Sequence, residues 1–460
     1  MDSMFANGFD ATAMLDSIVA ILFVCLLIWG GQNKFGTGEF HDDSTSLEVV
    51  KSLRGFAAIG VMLHHVSQEP MFQERHVLSL FVNAGVYFVA IFLFCSGYGL
   101  IKSLNTKKDY FKGFIKKRVV RSLVVPFYID VIFYGIFLFL TKTPDAVGRP
   151  LTADHWVCNF LGLTMMNQYA WFPIVLAILY IVFYLCFRFI KKRPVCYVIL
   201  LLVMLALGVG FCFNGHYAWW YGPNNWWMEE STAMAAKWWQ WDATRWFSGE
   251  WWVNTMPAFL SGILFASYEE KIVNFFKKSY ALKFAILIAV TLGLYVLSDL
   301  GQSKFGGYWT EYQMNGPEIA DKLVAYFCQI PLLFVFPFTI FIFMMKYYTI
   351  NPVTRFYGKY SLHTYLMNLM AISLLRFMQF RDYSPIKLGT FDLPVMAICV
   401  VALSTLLGVR EQKIVAYFQR LLFEKREVPV YRSLLSDGEG EEDRADDRKA
   451  RAVKNFKKAD

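Results

Sequence analysis

The chain alternates long apolar stretches with short polar ones that carry most of its Lys and Arg. Apolar segments fall at about 14 to 30, 46 to 70, 79 to 101, 122 to 141, 171 to 190, 195 to 213, 253 to 268, 280 to 299, 322 to 345, 360 to 379 and 391 to 409. Each is near the roughly 20 residues that carry a helix across a bilayer core. The pattern predicts an all-α, polytopic membrane helical bundle, with ten core spans and one extra N-terminal span. Four segments follow: an N-terminal span and Gly-rich linker (1–45), a membrane domain (46–410), a helix with Ile414, Val415, Phe418, Leu421 and Leu422 on one face (411–423), and a mixed-charge tail (424–460). The apolar face of the third suits a helix lying in the membrane interface. The tail has too little apolar content to fold.

Charge orients the bundle. The loop after the third apolar segment holds Lys102, Lys107, Lys108, Lys112, Lys116, Lys117, Arg118 and Arg121, which marks it as cytoplasmic. Alternating sides from there keeps the basic surplus on the same face at 188–193, 271–278 and 346–359, and predicts an outside N-terminus and a cytoplasmic C-terminus. Residues 1–13 lack Lys and Arg and no small-residue cleavage site follows, so the first span reads as retained rather than as a signal peptide. Composition agrees: 56% of the 460 residues are apolar, and the net charge of +9 lies between apolar runs instead of forming a nucleic-acid-binding domain. Seven of the eight Cys lie in apolar runs without metal-ligand spacing, so no metal is expected.

One segment combines apolar character with ionisable groups. At about 100° per residue, Arg54, Ala57, Ala58, Val61 and His65 share a helical stripe, with His65 roughly 16 Å along the axis from Arg54. Ionisable residues in membrane spans usually face a cavity, a partner or a substrate path. The plainer alternative has Arg54 snorkelling to the headgroups and the histidines bonding a neighbour. His64 points about 100° from His65, which suits packing or orienting a neighbour.

Between 219 and 252 lie ten Trp, among them Trp238, Trp239 and Trp241, interleaved with Glu229, Glu230 and Asp242. An interfacial aromatic belt explains the indoles. A platform for sugar rings, with carboxylates receiving hydroxyls, explains both residue types. In the third apolar segment, small residues at Ser96, Gly97 and Gly99 invite close approach of another helix.

These motifs together resemble the acyltransferase-3 family of integral membrane acyltransferases over roughly residues 46 to 410. Arg54-x-x-Ala57-x-x-x-Val61-x-x-x-His65 is similar to the family's first-helix signature, and Phe92-x-Phe94-x-Ser96-Gly97-Tyr98 to its aromatic-Ser-Gly-aromatic segment. Phe114-x-x-Lys117-Arg118-x-x-Arg121 looks like its cytoplasmic RxxR segment. Gly358-x-x-Ser361-x-x-x-Tyr365-Leu366 resembles its late helix, and Pro257-x-Phe259-x-x-Gly262 a weaker middle element. Two departures stand out. Asn368 occupies a position where the family often has His, with His363 earlier, and Trp171-Phe-Pro lacks the acidic residue that often follows that Trp.

The resemblance implies transfer of an acyl group, most often acetyl from acetyl-CoA, to a hydroxyl of a cell-envelope glycan or related acceptor at the cell membrane. His65 would be the base, and Arg54 would hold a donor phosphate or polarise the thioester oxygen. Arg118 and Arg121 would fork the CoA phosphates, unless they only set topology. Ser96, Gly97, Ser361, Tyr365, Asn368 and His64 would support the site. A transporter or flippase for lipid-linked glycans, with histidines relaying protons, is a competing class, as is a receptor without chemistry.

Overall fold

The computed structural model describes residues 11–74, 76–141, 157, 160–162, 167–212, 253–307, 319–380 and 392–423. The chain divides into compact units Met1–Phe418 and Gln419–Asp460, and the fold below belongs to the first. The Trp-rich stretch, with Trp238, Trp239, Trp241, Glu229, Glu230 and Asp242, and the tail from 424 lie outside the described residues.

The protein is an all-α bundle. In chain order come α1 (Ala11–Ile28), α2 (Leu47–Ser67), a short α3 (Pro70–Glu74) and α4 (Gly85–Thr106). A π-wound turn (Ile115–Val124) then runs into α5 (Val125–Thr141), followed by α6 (Trp171–Phe189), α7 (Arg193–Cys212), α8 (Pro257–Ser267) and α9 (Glu269–Lys277). The last four are α10 (Tyr280–Phe305), α11 (Ile319–Met344), α12 (Pro352–Phe380) and α13 (Asp392–Phe423).

Seven helical stretches among the described residues are long and apolar enough to cross a membrane, and Asp16–Ile28 and Val253–Ser267 are shorter apolar stretches. The other two expected spans are the helices α2 and α12, which carry Lys51 and Arg54, and Arg355, Lys359 and His363, respectively. Much of α10 faces outward through residues such as Leu282, Ile286 and Leu292, a surface suited to lipid tails. The protein is a multi-pass membrane protein. Residues 411–423 do not form a separate helix as the amphipathic pattern suggests. They continue α13, which runs through Gly408 without a break.

Among the described residues, two helix pairs interlock through a glycine on each partner that meets the other's backbone. A Cβ on Gly97 would overlap the Phe259 carbonyl oxygen, and one on Gly262 would overlap that of Phe94, so α4 and α8 interlock reciprocally. The same exchange joins α2 to α12: a Cβ on Gly55 would strike the Thr354 carbonyl oxygen, and one on Gly358 that of Lys51. Such small-residue approaches drive helix association where lipid removes the hydrophobic incentive. Of the residues expected to permit this on α4, Gly97 does so, whereas Gly99 faces open space.

The N-terminal linker is strapped to the core. Its strand β1 (Gly31–Asn33) pairs antiparallel with β2 (Tyr347–Thr349). Lys346 donates its ammonium to the carbonyls of Lys34, Thr37 and Glu39, with Nζ 4.0 Å from the centre of the Phe40 ring.

Gly97→Val should therefore lower the thermal midpoint of the purified protein sharply, since overpacking costs about 1–3 kcal/mol even where side chains can yield and a carbonyl yields less. Gly99→Ala should leave the midpoint unchanged or raise it. Equal effects of the two substitutions would contradict the interlocked geometry.

Candidate functional site

The helical stripe read from the sequence is buried along most of its length: Ala57, Ala58, Val61 and His65 are all sequestered from solvent. Ser46 caps α2 by accepting from the Val49 amide, and that fixes where the helix begins. His65 then faces α12, where Ser361, Tyr365 and Asn368 repeat at helical spacing on the face that Gly358 opens to α2.

The His65 ring is held on three sides. Its Nδ1 lies 2.8 Å from Asn368 Oδ1. Its plane stacks on Tyr169, with centroids 3.6 Å apart and planes tilted by 9°. The Tyr365 ring lies 5.9 Å away at 44°. Nε2 has no hydrogen-bond partner among the described residues, so it is the nitrogen available to a substrate.

Tyr169 owes its position to a short segment that reaches α5. Asn167 caps the turn Gln168–Ala170 by accepting from the Tyr169 amide. Its Nδ2 lies 2.9 Å from both carboxyl oxygens of Asp130 and from the Leu366 carbonyl oxygen. One buried amide thus ties the turn to α5 and to α12, close to Asn368. On α12, His363 Nδ1 lies 3.1 Å from Glu411 Oε2, whose other oxygen is buried without a partner.

His64 faces elsewhere, as its angular position requires. Its Nδ1 is 2.8 Å from the Phe81 carbonyl oxygen, and its ring fills the space beside Gly85 that a Cβ would occupy. This is a packing role, and the His64 ring also lies beside that of His65, with centroids 5.4 Å apart and planes tilted by 46°.

The Arg54 end of the bundle has a different character. Among the described residues neither Arg54 nor Arg118 pairs with a carboxylate, and the Arg54 Nε is buried without a hydrogen-bond partner. Tyr180 lies within electrostatic range of both guanidinium groups and within hydrogen-bonding reach of Ser96, which brings α2, the π-wound turn, α6 and α4 together. Arg118 Nη2 also reaches Ser103 Oγ at 3.5 Å. Burial raises the pKa of the Tyr110 phenol, and the adjacent Arg118 opposes that rise. The phenol therefore stays a neutral donor. Arg121 is half-buried on the same turn. Two guanidinium groups that pair with no carboxylate among the described residues, with phenol and hydroxyl groups near them, have the chemistry to receive an anion.

A cavity of about 310 Å³ opens beyond the linker, lined by residues that include His41, Asp42, Lys102, Glu269 and Lys277. Its cations are already matched, Lys102 with Glu269 at 2.9 Å and Lys277 with Asp42 at 3.4 Å. It therefore offers an anion less than Arg54 and Arg118 do. No group of three or more His, Cys, Asp or Glu among the described residues could hold a metal ion.

A family model described as an acyltransferase domain matches residues 48–409, and the chain belongs to the acyltransferase-3 family. No curated protein and no solved structure matches it. The protein is a membrane acyltransferase.

Sequence reasoning missed Asp130, Asn167, Tyr169, Ser404 and Glu411. Asp130 carries a readable signal, being a lone acid within an apolar run. Asn167 and Tyr169 lie in a connection without periodicity, so nothing local marks them.

Asp130→Asn keeps an acceptor for Asn167 and should change the thermal midpoint little. Asn167→Ala strands both Asp130 oxygens and should destabilise by about 1–3 kcal/mol or more. Thermal unfolding of the two variants side by side checks this, and the reverse ranking would refute the tie.

Proposed function

We propose that this enzyme moves an acyl group, acetyl from acetyl-CoA, from the cytoplasmic face to a hydroxyl of a cell-envelope glycan or related acceptor. The observation that carries the reading is the combination, on one helix, of an unneutralised Arg54 and a His65 whose Nε2 is left open. The positive-inside pattern of the loops supports a cytoplasmic Arg54 end, on the side where acyl-CoA is made, with the N-terminus outside and the C-terminus inside. The aromatic and acidic stretch from 219 to 252 is the sequence feature that favours a sugar acceptor over other hydroxyl compounds.

In this mechanism Arg118 and Arg121 hold the phosphates of CoA at the mouth. The acyl-bearing arm runs inward past Ser96 and Tyr180. Arg54 helps to hold the donor, either at a phosphate or at the thioester oxygen. At the far end His65 Nε2 takes the proton of the acceptor hydroxyl as its oxygen attacks the thioester carbonyl, forming the C–O bond. The C–S bond breaks, and the thiolate leaves with the proton carried by Nε2. Nδ1 keeps its proton throughout, donating it to Asn368 Oδ1.

The reading is tested by acyl transfer from radiolabelled acetyl-CoA in membranes. His65→Ala should abolish it at normal protein abundance, because a general base contributes on the order of 10² to 10⁴ in rate, while His64→Ala should cost less. Activity of His65→Ala within a fewfold of wild type would remove the assignment. Movement of a glycan across the membrane without acyl-CoA would favour a transporter.

The donor site has its own test. Replacing Arg118 and Arg121 together by Ala should raise the KM for acetyl-CoA several-fold and leave the membrane orientation intact, since six Lys remain in that loop. Unchanged donor kinetics would reduce the pair to topology signals.

A further inference from the structure

The acyltransferase reading needs a His65 that is neutral with its lone pair on Nε2, and an isolated imidazole has no strong reason to choose that form. A hydrogen bond from Nδ1 to Asn368 Oδ1 would make the choice. An Asn carboxamide is two-faced, however: turned over, it would present its NH₂ to Nδ1 and place the ring proton on Nε2 instead. Something must hold the amide in one orientation.

Ser404 on α13 does so. Its hydroxyl has one proton, and that proton is donated to the Val400 carbonyl oxygen at 2.6 Å, within its own helix. The Ser404 oxygen is left as an acceptor, and Asn368 Nδ2 donates to it at 3.0 Å. With Nδ2 committed there, Oδ1 faces His65 Nδ1 at 2.8 Å and can only accept. The proton is thereby fixed on Nδ1 and the lone pair on Nε2. Ser404 and Asn368 are both wholly buried, so water does not offer an alternative partner. Gly408, one turn further along α13, lets the helix rest on the Thr364 backbone and brings Ser404 to Asn368.

We propose that Ser404 is a positioning residue that sets the tautomer of His65 through Asn368, and that it does not touch either substrate. The inference rests on His65 acting as the base. It adds that a serine two hydrogen bonds away decides which ring nitrogen can act.

The test uses the full-length enzyme in detergent or nanodiscs. Ser404→Ala frees the amide to turn and should lower kcat by about 10- to 100-fold, taking as a guide the loss when the hydrogen-bond partner that orients a metal-bound histidine is removed. Both KM values should stay within about twofold, because no substrate contact is lost. Ser404→Thr, which keeps the hydroxyl, should restore most of kcat. Asn368→Asp supplies an oxygen on either side of the group and has no NH₂ to misplace. In that background Ser404→Ala should therefore change kcat by less than about threefold, a coupling that a merely structural serine would not show.

A second measurement does not depend on turnover. ¹⁵N chemical shifts of the His65 ring should report Nδ1–H in the wild type and a gain of Nε2–H in Ser404→Ala. Nε2–H in the wild type would overturn the proposal, and so would a loss of kcat from Ser404→Ala that is equally large in the wild-type and Asn368→Asp backgrounds. Failure of the underlying reading looks different: His65→Ala would retain activity whatever the spectrum shows.

Discussion

The contact on which the site depends is the glycine-to-backbone approach of α2 and α12. Gly55 abuts the backbone at Thr354 and Gly358, and Gly358 abuts the Lys51 carbonyl, so the two helices touch near the Arg54 end with no side chain between them. Their alignment is carried along by polar pairs. Ser52 meets Thr354 across a sequence separation of 302 residues, and His65 meets Asn368 across 303, so the helices run parallel and in step. The backbone contact near one end therefore sets the register of the hydrogen bond near the other. Ser52 strengthens the join, with Oγ 2.6 Å from both the Thr349 carbonyl oxygen and Thr354 Oγ1. A larger residue at Gly55 or Gly358 would part the helices, and His65 would lose its partner without being altered itself.

Parallel packing of α2 and α12 also agrees with the charge pattern. Counting spans from the basic loop sends both helices in the same direction through the membrane. The same holds for α4 and α8: Gly262 meets the backbone at Phe94, and further along Lys102 on α4 meets Glu269, just past the end of α8, at nearly the same separation in sequence. Two parallel pairs that do not adjoin in sequence cannot be produced by simple hairpins. They arise because intervening spans carry the chain back, so the site is built from segments hundreds of residues apart.

Much of this was legible in the sequence, and the limit has a physical origin. Periodicity reports which residues share a helix face, so the Arg54 to His65 stripe could be read directly, whereas Ser361, Tyr365 and Asn368 were marked by the family resemblance. The role of Gly97 followed from residue size. Pairing between faces is a different matter. That Asn368 meets His65, or that Ser404 meets Asn368, depends on helix order and register, which no local pattern encodes. Tyr169 was less accessible still, because its position comes from Asn167 bonding two other helices rather than from its own segment. The boundary at 411 was misleading for the opposite reason: an amphipathic face was present where a helix was merely continuing.

The two ends of the α2 stripe make opposite demands on their surroundings, and this separates the tasks of the chain. Around His65 the polar groups meet neutral or matched partners: Asn368 for the imidazole, Ser404 for the amide, Asn167 for Asp130. Such a cluster can hold one orientation without a ligand. Near Arg54 and Arg118 the cations lack carboxylates among the described residues, and a cation drawn partly out of water without a counter-ion is costly. An anion bound there would offset that cost. The Arg54 end thus has cations without carboxylate partners among the described residues, whereas the His65 end is already organised by hydrogen bonds. The proposed reaction, which draws a charged donor from one side and a neutral hydroxyl from the other, would use the cations of the first end and the imidazole of the second.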